Sequence, residues 1–502
     1  MRTFLDNYDG SPDVGRFRNL PWGLLIGLIL FVVVLLLPIP GLSTGGQRVA
    51  AVTVLMATWW VTEAIPLPAT GLLPIVLFPL FGVMSTGEAT APYANDLIFL
   101  FMGGFLLALA MQRWGLHRRI ALGIVGRVGT GPRRLVLGFM IATGFLSMWV
   151  SNTATTVMML PIGLAILALL EKTIPEEESG RLGTALMLGI AYAASIGGVA
   201  TLIGTPPNAV FAGAVSELTG RTVGFVDWMI VGLPLSIVML LVAWVLLVHI
   251  LFRLPSGGDG AGEAARLIES ERASLGMMNR GEKVVAVVFT LTACAWLVRA
   301  PKEIAGFEIP GIGSYFPLVS DSMIAIAAAL VLFATPISLR ERTFALDWEW
   351  ASRIPWGVLL LFGGGLSLAR GFGETDLSTW IGTRVEGLGA LPPVLIFAAV
   401  AIIFIALSEF TSNTATATMA MPVMAGAGIG LGTDSVVLMA TAALGSSLAF
   451  MMPVGTPPNA IVFGTGRVSI GEMMRAGFWL NLVSIILITF VAYSFLGAVF
   501  GV

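Results

Sequence analysis

The chain of 502 residues contains one cysteine, two histidines and three lysines, and only 11% of its residues are charged. Each scarcity excludes something. The single cysteine, Cys294, allows no intrachain disulfide and makes no cysteine metal centre. None of the lysines, Lys172, Lys283 and Lys302, follows a glycine, so the chain has no phosphate-cradling loop ending in Gly-Lys. His117 lies in an arginine-rich stretch and His249 near the end of an apolar run, far apart in sequence, which suits interfacial positions better than a catalytic pair. Neither an HExxH nor a GxSxG string occurs, so no zinc helix or nucleophile elbow is offered, and an enzyme is not expected. With a formal net charge of −2 and no basic patch flanked by stacking aromatics, nucleic acid is not expected as a partner.

What is present is hydrophobic. Apolar residues make up 57% of the chain and the mean hydropathy is +0.93. Runs such as Trp22–Leu37, Leu97–Met111, Val231–Leu251, Val284–Val298 and Leu480–Val499 recur from end to end. Each is near the ~20 residues that a helix needs to cross a bilayer. None alternates as the strands of a membrane barrel would. The fold class read from this is an all-α polytopic membrane protein, with the lipid bilayer as its surroundings.

Spans are expected near 21–38, 49–65, 67–84, 96–113, 182–213, 226–252, 282–299, 321–337, 356–371, 434–464 and 474–500. Two further apolar segments, 132–168 and 393–428, each carry the polar cluster SNTAT near the middle. Residues 1–20 carry both signs of charge and read as a retained tail rather than a cleavable signal. Arginines gather at 113–134, 253–280 and 340–353, which the positive-inside rule puts in the cytoplasm. The polar segment 253–281, a loop or surface helix, divides the chain into halves. The first half has scaffold helices over 21–113 and working elements over 132–252. The second repeats this over 282–371 and 393–502.

The halves are copies. LFMGG at Leu100–Gly104 returns as LFGGG at Leu361–Gly365, 261 positions on, and the two SNTAT strings, at Ser151–Thr155 and Ser412–Thr416, have the same offset. GTPPNA at Gly204–Ala209 returns at Gly455–Ala460, 251 positions on. One SNTAT alone is as well explained by Ser and Thr packing between helices. Two motif pairs in the same order at near-constant offset indicate an internal duplication.

Parity then sets topology. If each SNTAT segment is a re-entrant hairpin, it begins and ends on one side of the membrane. Five full spans lie between the hairpins, so they enter from opposite faces and the repeats are inverted, a plan shared by many secondary transporters. Hairpin tips facing protein or water accommodate Ser, Asn and Thr that would be unfavourable against lipid. GTPPNA supplies breaks of its own. Pro206–Pro207 and Pro457–Pro458 remove backbone donors and cannot continue a helix. The half-helix that resumes presents amides to an anion, and the carbonyls freed at the break suit a hard cation. Two tips and two breaks can thus form one site lined by hydroxyls, amides and backbone, without Arg, Lys or His. Such a lining favours cation-coupled anion transport. Glu63 and Glu409 are carboxylates in apolar sequence, open to reading as ion relays or as structural partners of the backbone.

The paired SNT motifs, each followed by a PPN-containing break, and the stretch WWVTEAIPLPATGLLPIVLFP resemble the divalent anion/sodium symporter family over about Trp59 to Gly464. The resemblance implies eleven transmembrane helices plus two re-entrant hairpins, a homodimer, and a transport domain that moves like an elevator against a scaffold. It implies a cytoplasmic N-terminus, an extracellular C-terminus, and a first tip entering from the cytoplasm with the second entering from outside. Carried over by motif, Ser151, Asn152 and Thr153 with Ser412, Asn413 and Thr414 would contact substrate carboxylates. Thr205 and Pro206 with Thr456 and Pro457 would complete the pocket. One site for sodium, the coupling ion, would use Ser147, Ser151, Asn152 and the backbone of Gly204. The other would use Ser408, Thr411, Asn413 and the backbone of Gly455. Two intact SNT triplets lean toward four-carbon dicarboxylates such as succinate, malate and fumarate. A sodium-independent dicarboxylate or 2-oxoglutarate exchanger of the same fold, a carrier of another divalent anion such as sulfate, and an anion channel are the alternatives.

Overall fold

The computed structural model describes residues 21–256, 261–304 and 307–500. The expected tail 1–20 lies outside the described residues. Seven described helices are long and apolar enough to cross a membrane, or eight if Leu377–Leu388 and Pro393–Ser408, bent by 119°, count as one span.

Helices Pro21–Leu36 and Thr44–Thr62 open the chain and pack on each other. The expected span near 67–84 is instead two short helices, Leu67–Thr70 and Leu73–Leu80. Pro68 and Pro74 withhold amides in their first turns, so no single helix runs through. Asp96–Arg113 follows, then an arginine-bearing helix, Leu116–Val128. In the connector, read as a loop or surface helix, helix Ala261–Ser274 forms and lies against Leu116–Val128. Arg119 ties the two regions together: it pairs with Glu282 at 3.0 Å and donates to the carbonyls of Leu275 and Gly276. Two short antiparallel strand pairs, Lys302–Ile304 with Phe307–Ile309 and Pro336–Ser338 with Thr343–Phe344, are the only strands among the described residues.

The SNTAT segments break where expected. Helix Pro132–Ser147 stops, and Asn152–Leu170 starts at the motif; Pro393–Ser408 stops, and Asn413–Leu431 starts at its copy. We call the two gaps tip 1 and tip 2. The GTPPNA segments break too. Glu176–Val199 gives way to Pro206–Thr219 across break 1, and Ser435–Ser447 to Pro457–Phe463 across break 2. The first of these helices starts earlier than the apolar run suggested. Glu176, Glu177 and Glu178 occupy its first turn, where acidic side chains favour the positive end of the helix dipole.

Glu176–Val199 is the centre of the molecule, its apolar window wholly buried. It packs against Pro132–Ser147, Asn152–Leu170, Phe225–Val245 and Pro457–Phe463. Lipid tails do not drive helices together, so close approach depends on small residues. The crossing with Pro132–Ser147 shows this: a Cβ on Gly197 would lie 2.2 Å from the carbonyl oxygen of Gly144. The outermost helices have the opposite character. Only 28% of the window in Ile470–Val499 is buried, and Trp22, Ile29, Leu36, Ile486 and Phe490 are exposed apolar side chains of the kind a bilayer covers.

The halves interlock rather than stand apart. Asn152–Leu170, leaving tip 1, packs on Pro457–Phe463, leaving break 2. Asn413–Leu431, leaving tip 2, packs on Pro206–Thr219, leaving break 1. Each tip is therefore linked through helix packing to the break of the other half.

Candidate functional site

Tip 1 and break 1 form one cluster. The Ser147 hydroxyl lies 2.7 Å from Asn152 Oδ1 and 2.7 Å from the Ala194 carbonyl oxygen. One hydrogen faces two acceptors, so one oxygen keeps a free lone pair. Ser151 caps the helix that follows, accepting from the Ala154 amide. Asn152 approaches the central helix at Gly198, where a Cβ would lie 2.5 Å from its Oδ1. A Cβ on Gly204 would in turn lie 2.4 Å from the Gly198 carbonyl oxygen. Ser147, Asn152, Gly198 and Gly204 are thus brought together by sheer closeness of backbone. Thr205 is buried at the N-cap of the resuming helix, with Pro206 at its first turn. Thr153 stands one residue into the helix that leaves tip 1, partly buried.

Asn208, the last polar residue of the repeated string, holds break 1 shut. Its Nδ2 donates to the carbonyls of Gly198 at 3.1 Å and Thr201 at 2.7 Å. Its Oδ1 is buried with no donor. From the other side Trp228 Nε1 donates to the Val199 carbonyl at 2.8 Å, and Thr201 Oγ1 donates to the Met148 carbonyl, tying break 1 to tip 1.

Tip 2 and break 2 use the same residue types with different bonding. Ser408 is buried and donates to the Ser446 carbonyl at 3.0 Å, not to Asn413. Thr411 Oγ1 pairs with Thr416 Oγ1 at 2.6 Å. Asn413 Oδ1 is buried and has no donor. By the 251-residue offset Gly198 matches Ala449, but Gly198 lies inside its helix whereas Ala449 lies past the end of Ser435–Ser447, so the backbone beside Asn413 is built differently from that beside Asn152. Ser412 is the N-cap residue and Thr414 follows, both partly buried. Thr456 caps the last half-helix, accepting from the Asn459 amide, and Pro457 is exposed. Asn459 Nδ2 donates to the Met452 carbonyl at 3.1 Å, and its Oδ1 has no donor. Gly455 packs against Glu409, with its Cβ position 3.3 Å from Oε2.

Both clusters therefore hold oxygens that lack a hydrogen to accept: Asn208 Oδ1 in the first half, Asn413 Oδ1 and Asn459 Oδ1 in the second. A buried acceptor without a donor costs free energy unless water or a cation completes it. Carbonyl, amide and hydroxyl oxygens are the donor set that hard cations take, so the residues present fit a sodium ion in each half. Among the described residues no group of three or more His, Cys, Asp or Glu is placed to hold a metal. No hydrogen bond among the described residues joins the two SNT triplets directly; each triplet's helix packs on the half-helix that leaves the other half's break.

Sequence reasoning assigns no role to Asn208, Asn459, Gly198, Ser446 or Asn481. Asn208 and Asn459 stood in the repeated string, and Asn481 was an amide in an otherwise apolar helix, so those three carried a readable signal. Gly198 and Ser446 carried none, because their importance lies in what they touch. Glu63, open in sequence between relay and structural partner, is the exposed C-cap of Thr44–Thr62, with φ 47 and ψ 39.

Residues 18–502 match the model of the sodium:sulfate symporter transmembrane region. The chain belongs to this family. It is accordingly an integral, multi-pass membrane protein and a transporter. It is similar to the sodium-dependent dicarboxylate transporter SdcS of Staphylococcus saprophyticus, 44% identical over 492 residues, covering 96% of this chain and 92% of that one. SdcS of Staphylococcus aureus is 43% identical over 491 residues with the same coverage. Among solved structures, the YdaH transporter of Alcanivorax borkumensis aligns with a TM-score of 0.56 at 16% identity, covering 89% of this chain and 98% of that one. MtrF of Neisseria gonorrhoeae aligns with a TM-score of 0.56 at 13% identity, covering 95% of each. At those identities the likeness is one of fold alone.

Proposed function

We propose that the protein is a sodium-coupled symporter of four-carbon dicarboxylates. The observation that carries the reading is the pair of clusters at the tips and breaks. Each has oxygens lacking donors, backbone freed by Pro-Pro, and no basic side chain. A dianion in such a lining is held by hydroxyls, by helix-end amides and by the cations beside it. The relatives named for sodium-dependent dicarboxylate transport support this choice of ion and substrate. In this reading Ser151, Asn152, Thr153, Ser412, Asn413 and Thr414 meet the carboxylates, with Thr205, Pro206, Thr456 and Pro457 completing the pocket. Sodium takes Ser147, Ser151, Asn152 and Gly204 in one half, and Ser408, Thr411, Asn413 and Gly455 in the other.

The same reading has eleven transmembrane helices and two inverted re-entrant hairpins, in a homodimer whose transport elements move as an elevator. The N-terminus is cytoplasmic and the C-terminus extracellular. The family description itself favours one second reading, sulfate as the divalent anion. Uptake of radiolabelled succinate into proteoliposomes tests both. Concentrative uptake driven by a sodium gradient, and not by potassium or protons, is the expected result. Uptake of sulfate in place of succinate establishes the second reading. Uptake only into vesicles preloaded with dicarboxylate, whatever the cation, overturns symport in favour of exchange.

A further inference from the structure

Beside the tips and breaks the two halves differ at a buried charge. Glu409 follows Ser408 at the end of the helix entering tip 2 and is 4% exposed. Its carboxylate reaches across to break 2 and accepts from three consecutive backbone amides: Phe450 at 2.8 Å, Met451 at 2.9 and 3.0 Å, and Met452 at 2.9 Å. Asn481 Nδ2, on the last long helix, donates to Oε1 at 2.6 Å, while Asn481 Oδ1 accepts from Phe450 N at 3.1 Å. Every partner of the carboxylate is an N–H donor, the arrangement of a carboxylate anion in a nest of amides. No Lys, Arg or His among the described residues pairs with it.

The first half has neither member of this pair. Met148 stands where Glu409 does in the repeat. Ser236 stands where Asn481 does, counted from the helix N-caps Gly224 and Ser469, and donates instead to the Ile196 carbonyl. Break 1 is closed by a neutral amide, Asn208, working on carbonyls. Break 2 has the matching amide, Asn459, on the Met452 carbonyl, and adds an anion working on amides. The oxygens without donors in the second half, Asn413 Oδ1 and Asn459 Oδ1, lie on the helices that leave tip 2 and break 2, the two gaps that this anion ties together.

We propose that Glu409, without coordinating the ion, is the fixed counter-charge of the cation held between tip 2 and break 2, so that the two cation sites are unequal and the second binds more tightly. The proposal rests on the sodium-coupled reading. A buried charge compensated only by dipoles is costly, and a cation nearby relieves that cost. The reverse also holds: the anion raises cation affinity at this end and leaves the first site to oxygens that carry no full charge. Glu409 is a positioning residue. It gathers the amides of break 2 away from the ion, and its charge acts through the gap at Gly455.

The test is sodium binding by the full-length protein in detergent, read as the rise in thermal unfolding midpoint with sodium at constant ionic strength in choline chloride. The variants are Glu409→Gln, which removes the charge, and Glu409→Gln with Asn481→Asp, which moves it across the 2.6 Å contact. We expect the sodium concentration for half-maximal stabilisation to rise at least about tenfold in Glu409→Gln and to return toward wild type in the double variant. A folded Glu409→Gln with wild-type half-saturation overturns the proposal. So does a folded double variant as weak for sodium as Glu409→Gln, which would mean that the contacts and not the charge matter. If Glu409→Gln does not fold, the double variant and the single Asn481→Asp decide. Wild-type half-saturation in the folded double variant, or tighter half-saturation in folded Asn481→Asp, upholds the counter-charge; weakened half-saturation in the double variant, unchanged or weakened half-saturation in Asn481→Asp where only that variant folds, or failure of both to fold overturns it in favour of a purely structural carboxylate. A wild-type protein that sodium does not stabilise at all overturns the sodium-coupled reading itself.

Discussion

Ser147 and Asn152 face each other across tip 1, with the serine hydroxyl 2.7 Å from the asparagine Oδ1 and equally far from the Ala194 carbonyl oxygen. This contact joins the end of one half-helix, the start of the next and the central helix. It makes Asn152 the residue through which ion and substrate would sense each other. Asn152→Ala and Asn413→Ala are each expected to reduce succinate uptake to background while the purified protein remains folded. Unchanged uptake by either variant would count against the proposed pocket.

Gly198 and Ala449 give a sharper comparison, because the 251-residue offset matches them while only Gly198 lies within its helix. Gly198→Ala places a methyl 2.5 Å from Asn152 Oδ1, so the asparagine must move. A cost of about 1.4 kcal/mol in binding is about tenfold in affinity, and at least that loss is expected in the apparent affinity for sodium or succinate. Ala449→Gly removes a methyl that no such contact depends on and should leave affinity near wild type. Equal effects of the two changes would refute the asymmetry between the halves.

Asn208→Ala leaves the Gly198 and Thr201 carbonyls without their side-chain donor. Lost hydrogen bonds to buried groups cost about 1–3 kcal/mol, so the unfolding midpoint should drop clearly. Asn459→Ala loses one such donor bond, to Met452, and should cost less. Thermal unfolding of both in the same detergent checks the order.

Glu63 sits in the left-handed region at a helix end and is exposed. Glycine adopts that conformation without the Cβ penalty of about 1–2 kcal/mol, so Glu63→Gly is expected to raise the unfolding midpoint slightly. Glu63→Gln should leave the pH dependence of uptake unchanged. A flattened pH profile would restore the ion-relay reading.

His117, on the arginine-bearing helix outside the spans, has its pKa lowered from the ordinary value, first by burial and also by Arg118, against an opposing hydrogen bond with the Met111 carbonyl. The folded protein therefore favours the neutral ring. The contribution is intact above the ordinary histidine value and is lost as pH falls through it toward the lowered one. His117→Gln should show a smaller drop in unfolding midpoint than wild type between about pH 7 and pH 5.5. An identical drop would mean that His117 does not contribute.

Membrane class, duplication and the position of all four interruptions were determined by sequence alone, for reasons that are local. Hydropathy is a property of a run, Pro-Pro breaks a helix wherever it stands, and repeated motifs keep their order, here at offsets of 261 and 251. Ser151, Asn152, Ser412 and Asn413 could be named because they occur in pairs. Glu409 could be noticed and not interpreted. Its partners lie 41 to 72 positions away, at Phe450, Met451, Met452 and Asn481, and nothing in those residues separately announces a carboxylate. The tertiary structure decided what the pattern of repeats conceals, namely that matched positions do not do matched work. Gly198 against Ala449 and Met148 against Glu409 are small differences on paper. In a packed interior, a methyl group added at Gly198 would displace Asn152 and a buried carboxylate sets the electrostatics of everything near it.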